Sequence, residues 1–207
     1  MQCREKIRNL FDLKGKNMAL TKIDAVPALV VIDLQKGIVG LPTLHPAGEI
    51  VSRTAELARA FRKRFFPVVF VHVTGMAPGR TDMGAPKLSF PPDWTELVPQ
   101  LEQDPNDYIV TKQRWGAFID TCLHEYLLGR GVTQVFLAGI STSIGVESTA
   151  RCAYDHGYNV VLVVDAMTDR DADAHNHSVE RIFPRLGETT STAEVLEMLN
   201  HGRASTK

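Results

Sequence analysis

The strongest constraint on the fold of this chain is an alternation of short apolar runs with longer amphipathic segments from Pro27 onward. The runs are rich in Val, Ile and Leu at adjacent positions, which predicts strands buried on both faces. Such strands, separated by helices, are typical of a parallel sheet covered on each side. The predicted fold class is therefore three-layer α/β. Strands are predicted at 28–33, 67–73, 107–112, 133–139, 159–166 and 186–191, and helices at 49–64, 119–131, 146–157, 172–183 and 192–202.

The 207 residues, 44% of them hydrophobic and 23% charged, are enough for one sizeable core. A net charge of -1 without a basic cluster argues against a nucleic-acid partner. The apolar runs are far shorter than the roughly 20 residues that span a bilayer, and no signal peptide is recognisable, so we expect a cytoplasmic protein without membrane contact. Residues 1–26 are predicted to be an N-terminal extension, 27–200 the domain, and 201–207 a flexible tail.

The three cysteines, Cys3, Cys122 and Cys152, are widely spaced and form no CxxC pair. This spacing argues against a disulfide framework and against a structural zinc site, so reduced thiols are expected. The sequence also contains neither a GxGxxG motif nor a Walker loop. No cofactor is therefore predicted.

Three features are predicted to share the carboxyl edge of the sheet, where ligands bind in doubly wound folds. Asp33 ends the first strand, Lys112 ends the third, and the loop from Ser141 to Gly145 follows the fourth. Each also has a structural interpretation: Asp33 as the cap of a turn, Lys112 as a solvated lysine, and Gly145 as the first residue of a helix. Together they provide an acid, a base and a group of backbone amides.

The blocks LVVIDLQ, VTKQRWGAF and LAGISTSIGVESTARCAYDHGYNVVLVVDA, followed by DAHNHS, resemble the isochorismatase-like hydrolases, also called the cysteine hydrolase superfamily. In that family the first three blocks supply an aspartate, a lysine and a nucleophilic cysteine. Asp33 and Lys112 match the first two, whereas Gly145 stands where the cysteine would be. The resemblance implies a six-stranded sheet of order 3-2-1-4-5-6, a cis peptide between Ile140 and Ser141, and a homo-oligomer.

True isochorismatases share the glycine and cleave a vinyl ether, with the aspartate thought to protonate the enol carbon. By resemblance, Asp33 is the predicted general acid or base and Lys112 its electrostatic partner. The backbone of Ile140 and Ser141 to Gly145 is the predicted cradle for a small, carboxylated substrate, and Gly145 is expected to leave room for substrate or water. Two alternatives remain open: a ligand-binding or scaffold protein, and an amidase that uses water, Ser141 or Ser143 as nucleophile.

Other candidates are less specific. Gln35 and Trp115 are candidate pocket walls, although a core position fits Trp115 equally well. Arg80, on the long segment 74–104, is a candidate partner for a substrate carboxylate or a solvated loop residue. That segment, with Phe90, Pro91, Pro92 and Trp94, is also a candidate subunit contact.

The run from Asp169 to His177 suggests a metal site, but an acidic first helical turn followed by exposed His175 and His177 explains it more simply. Nicotinamidases, by resemblance, carry their metal on an Asp-x-His stretch after the second strand. Here His72 lies inside that strand and no such stretch follows. No metal is therefore predicted. One difficulty remains, because the expected order separates the strands of Asp33 and Lys112, so the lysine would have to reach across.

Overall fold

The computed structural model describes residues 20–82, 84 and 91–201, and its centre is a six-stranded parallel sheet. The strand order is β3-β2-β1-β4-β5-β6, so both the predicted α/β class and the predicted order are confirmed. The strands are β1 (Pro27–Ile32), β2 (Val68–Val73), β3 (Tyr108–Lys112), β4 (Gln134–Ile140), β5 (Asn159–Thr168) and β6 (Gly187–Thr190).

Helices cover both faces of the sheet, as the alternating pattern predicts. They are α1 (Lys36–Val39), α2 (Ala47–Lys63), α3 (Leu123–Gly129), α4 (Glu147–Asp155), α5 (Ala172–His177), α6 (Phe183–Leu186) and α7 (Thr192–His201). A 3-10 turn spans Pro99–Leu101, and π-helical turns span Thr142–Val146 and Ser178–Ile182.

The core is divided by the sheet into two apolar clusters, because successive strand residues point to opposite faces. Leu29 and Val31 of β1 pack on one side with Phe61 of α2 and Phe136 of β4. Ala28, Val30 and Ile32 lie in the other cluster, with residues of α3, α4 and α6. Every residue of β1 and β4 is buried, which explains why these strands read as continuous apolar runs.

The structure differs from the predicted elements in short segments. α1 and the Pro99–Leu101 turn were not predicted, and the predicted helix over 172–183 is divided by a π-helical turn between α5 and α6. Residues 20–26, assigned by sequence to the extension, contact the sheet: Leu20 is buried, and Asp24 binds Thr133 and Asn159 at the amino edge. The tail beyond His201 lies outside the described residues.

Residues 91–98 cross over the end of β1 and the start of α1. Backbone hydrogen bonds join Lys36 N–H to the Glu96 carbonyl at 2.8 Å and Gly37 N–H to the Trp94 carbonyl at 3.1 Å. A Cβ on Gly37 would overlap the Trp94 indole, so the glycine lets the indole lie against the backbone. Trp94 thus packs on its own chain, and Phe90 lies outside the described residues. The homo-oligomer stays a prediction.

None of the helices in the described ranges has the length and apolar character needed to cross a membrane.

Candidate active site

Two charged side chains meet at the carboxyl edge of the sheet. Lys112 Nζ donates to Asp33 Oδ2 at 2.7 Å and to the Arg114 carbonyl oxygen at 3.1 Å. Both residues are almost fully buried, with 4% of Asp33 and 3% of Lys112 exposed. β2 lies between their strands, so the long lysine side chain reaches across the end of β2. The strand order therefore does not keep the predicted pair apart.

The backbone at Asp33 turns its carboxylate toward this edge. Asp33 has a φ of 53°, in the left-handed region that Asp tolerates better than most residues. Its N–H donates to the Val71 carbonyl at 2.9 Å, which extends the pairing of β1 with β2 by one residue. Sparsely populated backbone conformations of this kind cluster at functional sites, where the surrounding structure holds them.

The environment of Asp33 favours its protonated form. Burial raises the pKa of Asp33 to about 6, while Lys112 and, more weakly, His72 act in the opposite direction. Oδ2 is bound to Lys112, whereas Oδ1 is buried without a hydrogen-bond partner among the described residues. The carboxyl group therefore has one oxygen free to hold a proton or to bind another molecule.

The loop after β4 lies against Asp33. The Ile140–Ser141 peptide bond is cis. The Ser141 carbonyl accepts hydrogen bonds from the N–H groups of Ile144 and Val146, at 3.2 and 3.1 Å. Within the described residues, the N–H groups of Ser141 and Thr142 make no such bond. The anion cradle predicted over residues 141–145 therefore has fewer free amides than expected. The N–H groups of Ile144 and Ser143 already donate to the Ser141 carbonyl and to Asp169, respectively.

Two residues that the sequence did not assign to the site, Asp169 and His175, form hydrogen bonds with this loop. Asp169 Oδ2 accepts from Ser143 N–H at 2.7 Å and from Ser143 Oγ at 2.8 Å. His175 Nδ1 lies 2.9 Å from Thr142 Oγ1, and its ring contacts that of His45. The interpretation of His175 as exposed is wrong: it is buried, because it packs under the loop, whereas His177 is exposed. No sequence signal links these residues to a loop some 30 positions earlier.

Gly145 does not leave the space that the sequence suggested. A Cβ at this position would lie 2.9 Å from Ile32 Cγ2 and 3.2 Å from Asp33 Oδ2. Ile32 is buried and branched at Cβ, so its methyl group cannot move away easily. The expectation of room for substrate or water at Gly145 is therefore wrong: Ile32 and Asp33 already occupy that space.

Gly145→Ala is expected to destabilise the protein by about 1–3 kcal/mol, because the added methyl group overpacks the contact with Ile32 and Asp33. Gly48→Ala in α2 is the matched control, since a Cβ there meets nothing within 4 Å and alanine is the better helix former. Urea unfolding at pH 7 measures both changes. Equal stability of the two variants would contradict the tight fit.

The weaker candidates lie in different surroundings. Gln35 is fully buried, and its amide donates to the Val73 and Trp94 carbonyls and accepts from Val73 N–H. Gln35 therefore joins β2 to the 91–98 segment, and its amide is not open to a substrate. Trp115 is 64% exposed, so the alternative of a core position is wrong. Arg80 is exposed on the segment after β2.

The two described cysteines are free thiols. Cys122 is exposed just before α3. Cys152 is half-buried in α4, where burial, followed by Asp155, raises the pKa of its thiol and so disfavours the thiolate. Cys3 lies outside the described residues. Over the described ranges, no group of three or more His, Cys, Asp or Glu side chains could hold a metal ion.

Comparison with known proteins gives a consistent result. Residues 27–194 match the family described as the isochorismatase domain. The uncharacterized isochorismatase family protein YwoC of Bacillus subtilis (strain 168) is 41% identical over 180 residues, covering 83% of this chain and 93% of that protein. The streptothricin hydrolase of Streptomyces noursei is 35% identical over 150 residues, which cover 72% of this chain and 52% of the hydrolase.

Among solved structures, an isochorismatase family protein from Burkholderia thailandensis superposes with a TM-score of 0.83 at 43% sequence identity. The similarity covers 86% of this chain and 98% of that one. The two proteins therefore share their fold over most of their length.

Proposed function

This chain belongs to the isochorismatase family of hydrolases, and from that premise we propose that it hydrolyses a small carboxylated molecule at the Asp33–Lys112 pair without a covalent thiol intermediate. Asp33 is the proposed general acid or base, and Lys112 its electrostatic partner. The observation that carries the proposal is the state of Asp33: its carboxyl is buried, one oxygen is bound to Lys112 and the other has no partner among the described residues.

Cleavage of a vinyl ether is the reaction that this site supports best. Asp33 transfers its proton to the enol carbon, which leaves an oxocarbenium ion. Water adds to that ion, the hemiketal breaks its C–O bond, and a proton returns to the Asp33 carboxylate. A pKa near 6 suits the first step, because it keeps part of the carboxyl protonated near neutral pH. Lys112 then stabilises the carboxylate that forms, and no side-chain nucleophile is needed.

The loop after β4 supports a carboxylated substrate. The N–H groups of Ser141 and Thr142 are without partners among the described residues, and backbone amides at the start of a helix bind anions well. Thr142 is fully buried, so the Ser141 amide, on a partly exposed residue, is the proposed contact. Arg80 is an exposed cation on the segment after β2 and a candidate second contact for the same carboxylate. Together these groups would orient the substrate while Asp33 carries out the proton transfer.

A panel of carboxylated vinyl ethers, amides and ureides, assayed in D₂O by NMR, tests the proposal. Hydrolysis of a vinyl ether by this route places one deuterium on the carbon that Asp33 protonates, whereas amide or ureide hydrolysis forms no new C–D bond. We expect a deuterated product from a vinyl ether. Binding of panel compounds without turnover of any of them would overturn the hydrolase proposal and favour a ligand-binding protein.

The amidase alternative has one observation in its favour, since the Ser143 hydroxyl donates to a carboxylate, that of Asp169. That carboxylate also accepts hydrogen bonds from the N–H groups of Ser143 and Arg170, so it already has a part in holding the loop. Release of ammonia from an amide of the panel, lost in Ser143→Ala, would support this alternative.

The rate should depend on pH with an apparent pKa near 6. The protonated fraction of Asp33 falls about tenfold per pH unit above its pKa, so kcat/KM for a vinyl ether is expected to fall tenfold per unit above pH 6. Initial rates measured from pH 5 to 9 provide the profile. A rate that rises through pH 6 would show instead that Asp33 acts as a base.

A further inference from the structure

The carboxylate of Asp169 lies next to the proposed site and has no part in the proposed mechanism. It accepts four hydrogen bonds. It lies just after β5 and is 3% exposed. It interacts electrostatically with His175, whose pKa is lowered, mainly by burial. Both carboxylate oxygens of Asp169 accept hydrogen bonds. Oδ2 accepts from Ser143 N–H and Oγ, at 2.7 and 2.8 Å, and Oδ1 accepts from Arg170 N–H at 2.7 Å and Asp171 N–H at 3.4 Å.

Burial of a carboxylate without a cation costs free energy, which these bonds offset only in this geometry. The two bonds from Ser143 fix the orientation of the peptide group between Thr142 and Ser143. On its other side, the Thr142 carbonyl accepts from Glu147 N–H, which ties the same peptide group to the start of α4. Asp169 and α4 therefore hold the loop from two directions.

This peptide group closely follows the Ser141 amide proposed to bind the substrate and lies two residues before Gly145, at which a Cβ would lie 3.2 Å from Asp33 Oδ2. A rotation of the Ser143 peptide would turn the Thr142 amide and move Gly145 away from Asp33. Resting on the function proposed above, we propose that Asp169 is a positioning residue: through Ser143 it holds the loop after β4 in the conformation that places Gly145 against Asp33 and presents the Ser141 amide.

Two substitutions separate the geometry of Asp169 from its charge. Asp169→Asn keeps the shape but can accept from only one of the two pairs of donors. Asp169→Glu keeps the charge but displaces the carboxylate by one methylene group. Asp171→Asn is the matched control, because Asp171 is an exposed N-cap that accepts from Ala174 N–H, a role that Asn performs equally well.

The experiment reads the site by NMR, without a substrate. The pH titration of the Asp33 carboxyl carbon gives its pKa, and the 1H–15N resonances of Ser141 and Thr142 report the loop. In both Asp169 variants we expect the pKa of Asp33 to fall from about 6 by about one unit or more, because water reaches the uncovered carboxyl, and both amide resonances to move. Asp171→Asn should leave all three signals unchanged.

A merely structural role for Asp169 would lower the melting temperature of its variants and leave the Asp33 titration and the two amide resonances of the folded protein as in wild type. That result would overturn the proposal. Should both Asp169 variants fail to fold, Ser143→Ala provides the decisive measurement, since it removes one of the two bonds and keeps the charge. It is then expected to move the Ser141 and Thr142 resonances, and unchanged resonances would overturn the proposal. Neither readout needs turnover, so failure of the proposed function is distinguishable from failure of this inference.

Discussion

Asp33→Asn is expected to lower kcat/KM for the compound that the protein hydrolyses by about a thousandfold. Asn has nearly the shape of Asp and can still accept a hydrogen bond from Lys112, but it cannot transfer a proton. The loss should fall mainly on kcat, because the Ser141 amide that would bind the substrate is unchanged. Steady-state kinetics of the purified variant measure the loss, and circular dichroism verifies the fold.

Asp24→Asn is the matched control for this substitution. Asp24 is also mostly buried, with a 10% exposed side chain, and it pairs with a lysine, Lys22, at 3.4 Å. It lies at the opposite, amino edge of the sheet, where it binds Thr133 and Asn159. Asp24→Asn should therefore turn over the substrate at the wild-type rate. An Asp33→Asn variant with more than a tenth of wild-type activity would exclude proton transfer by Asp33.

Most of the fold was predictable because its signals are local. Buried strands such as β1 and β4 are continuous apolar runs, and α2 shows a clear helical period, so each could be located without knowledge of its partners. The elements that were missed are short: α1 and the Pro99–Leu101 turn. Each is stabilised by neighbours distant in sequence, as shown by the hydrogen bond from Lys36 N–H to the Glu96 carbonyl, and a local pattern carries no record of such contacts.

Site residues that belong to a sequence motif could be predicted. Residues whose role depends on packing between separate elements could not. Asp33 and Lys112 were identified by resemblance to the family, and the structure brings them within hydrogen-bonding distance. The sequence could not show that the Gln35 side chain is hydrogen-bonded to backbone groups, or that Asp169 and His175 support the loop after β4. These roles arise from contacts between separate elements, formed only when the β4 and β5 ends lie side by side.

Gly145 shows the limit of the family comparison most clearly. The resemblance to the family places Gly145 where a cysteine is expected, which suggests an empty space. The structure instead places Ile32 and Asp33 against the glycine. A side chain at this position would therefore press on Ile32 and on the Asp33 carboxyl, so the glycine matters for the environment of Asp33.

Lys112→Met is expected to lower the free energy of unfolding by about 3–5 kcal/mol at pH 8, because it leaves the Asp33 carboxylate buried without its cation. Loss of the ammonium group also removes the main effect that opposes burial, so the pKa of Asp33 should rise further above 6. A folded-state pKa above the ordinary value of 3.8 means that Asp33 favours the folded state below pH 3.8, and that this contribution is lost as pH rises through the folded-state pKa. The destabilisation by Lys112→Met should accordingly be smaller at pH 5, where Asp33 is protonated, than at pH 8. Urea unfolding at both pH values measures it.

The double variant Asp33→Asn/Lys112→Met separates the cost of the unpaired charge from the loss of lysine packing. With no charge left at the site, it should be more stable than Lys112→Met at pH 8 and show no difference in stability between pH 5 and pH 8 from this pair. Lys36→Met is the surface control: its ammonium pairs with Asp93 and Glu96 in solvent, where screening leaves little stabilisation to lose. If Lys112→Met destabilises the protein equally at both pH values, Lys112 stabilises the fold through packing. The pKa of Asp33 would then not depend on the charge of Lys112.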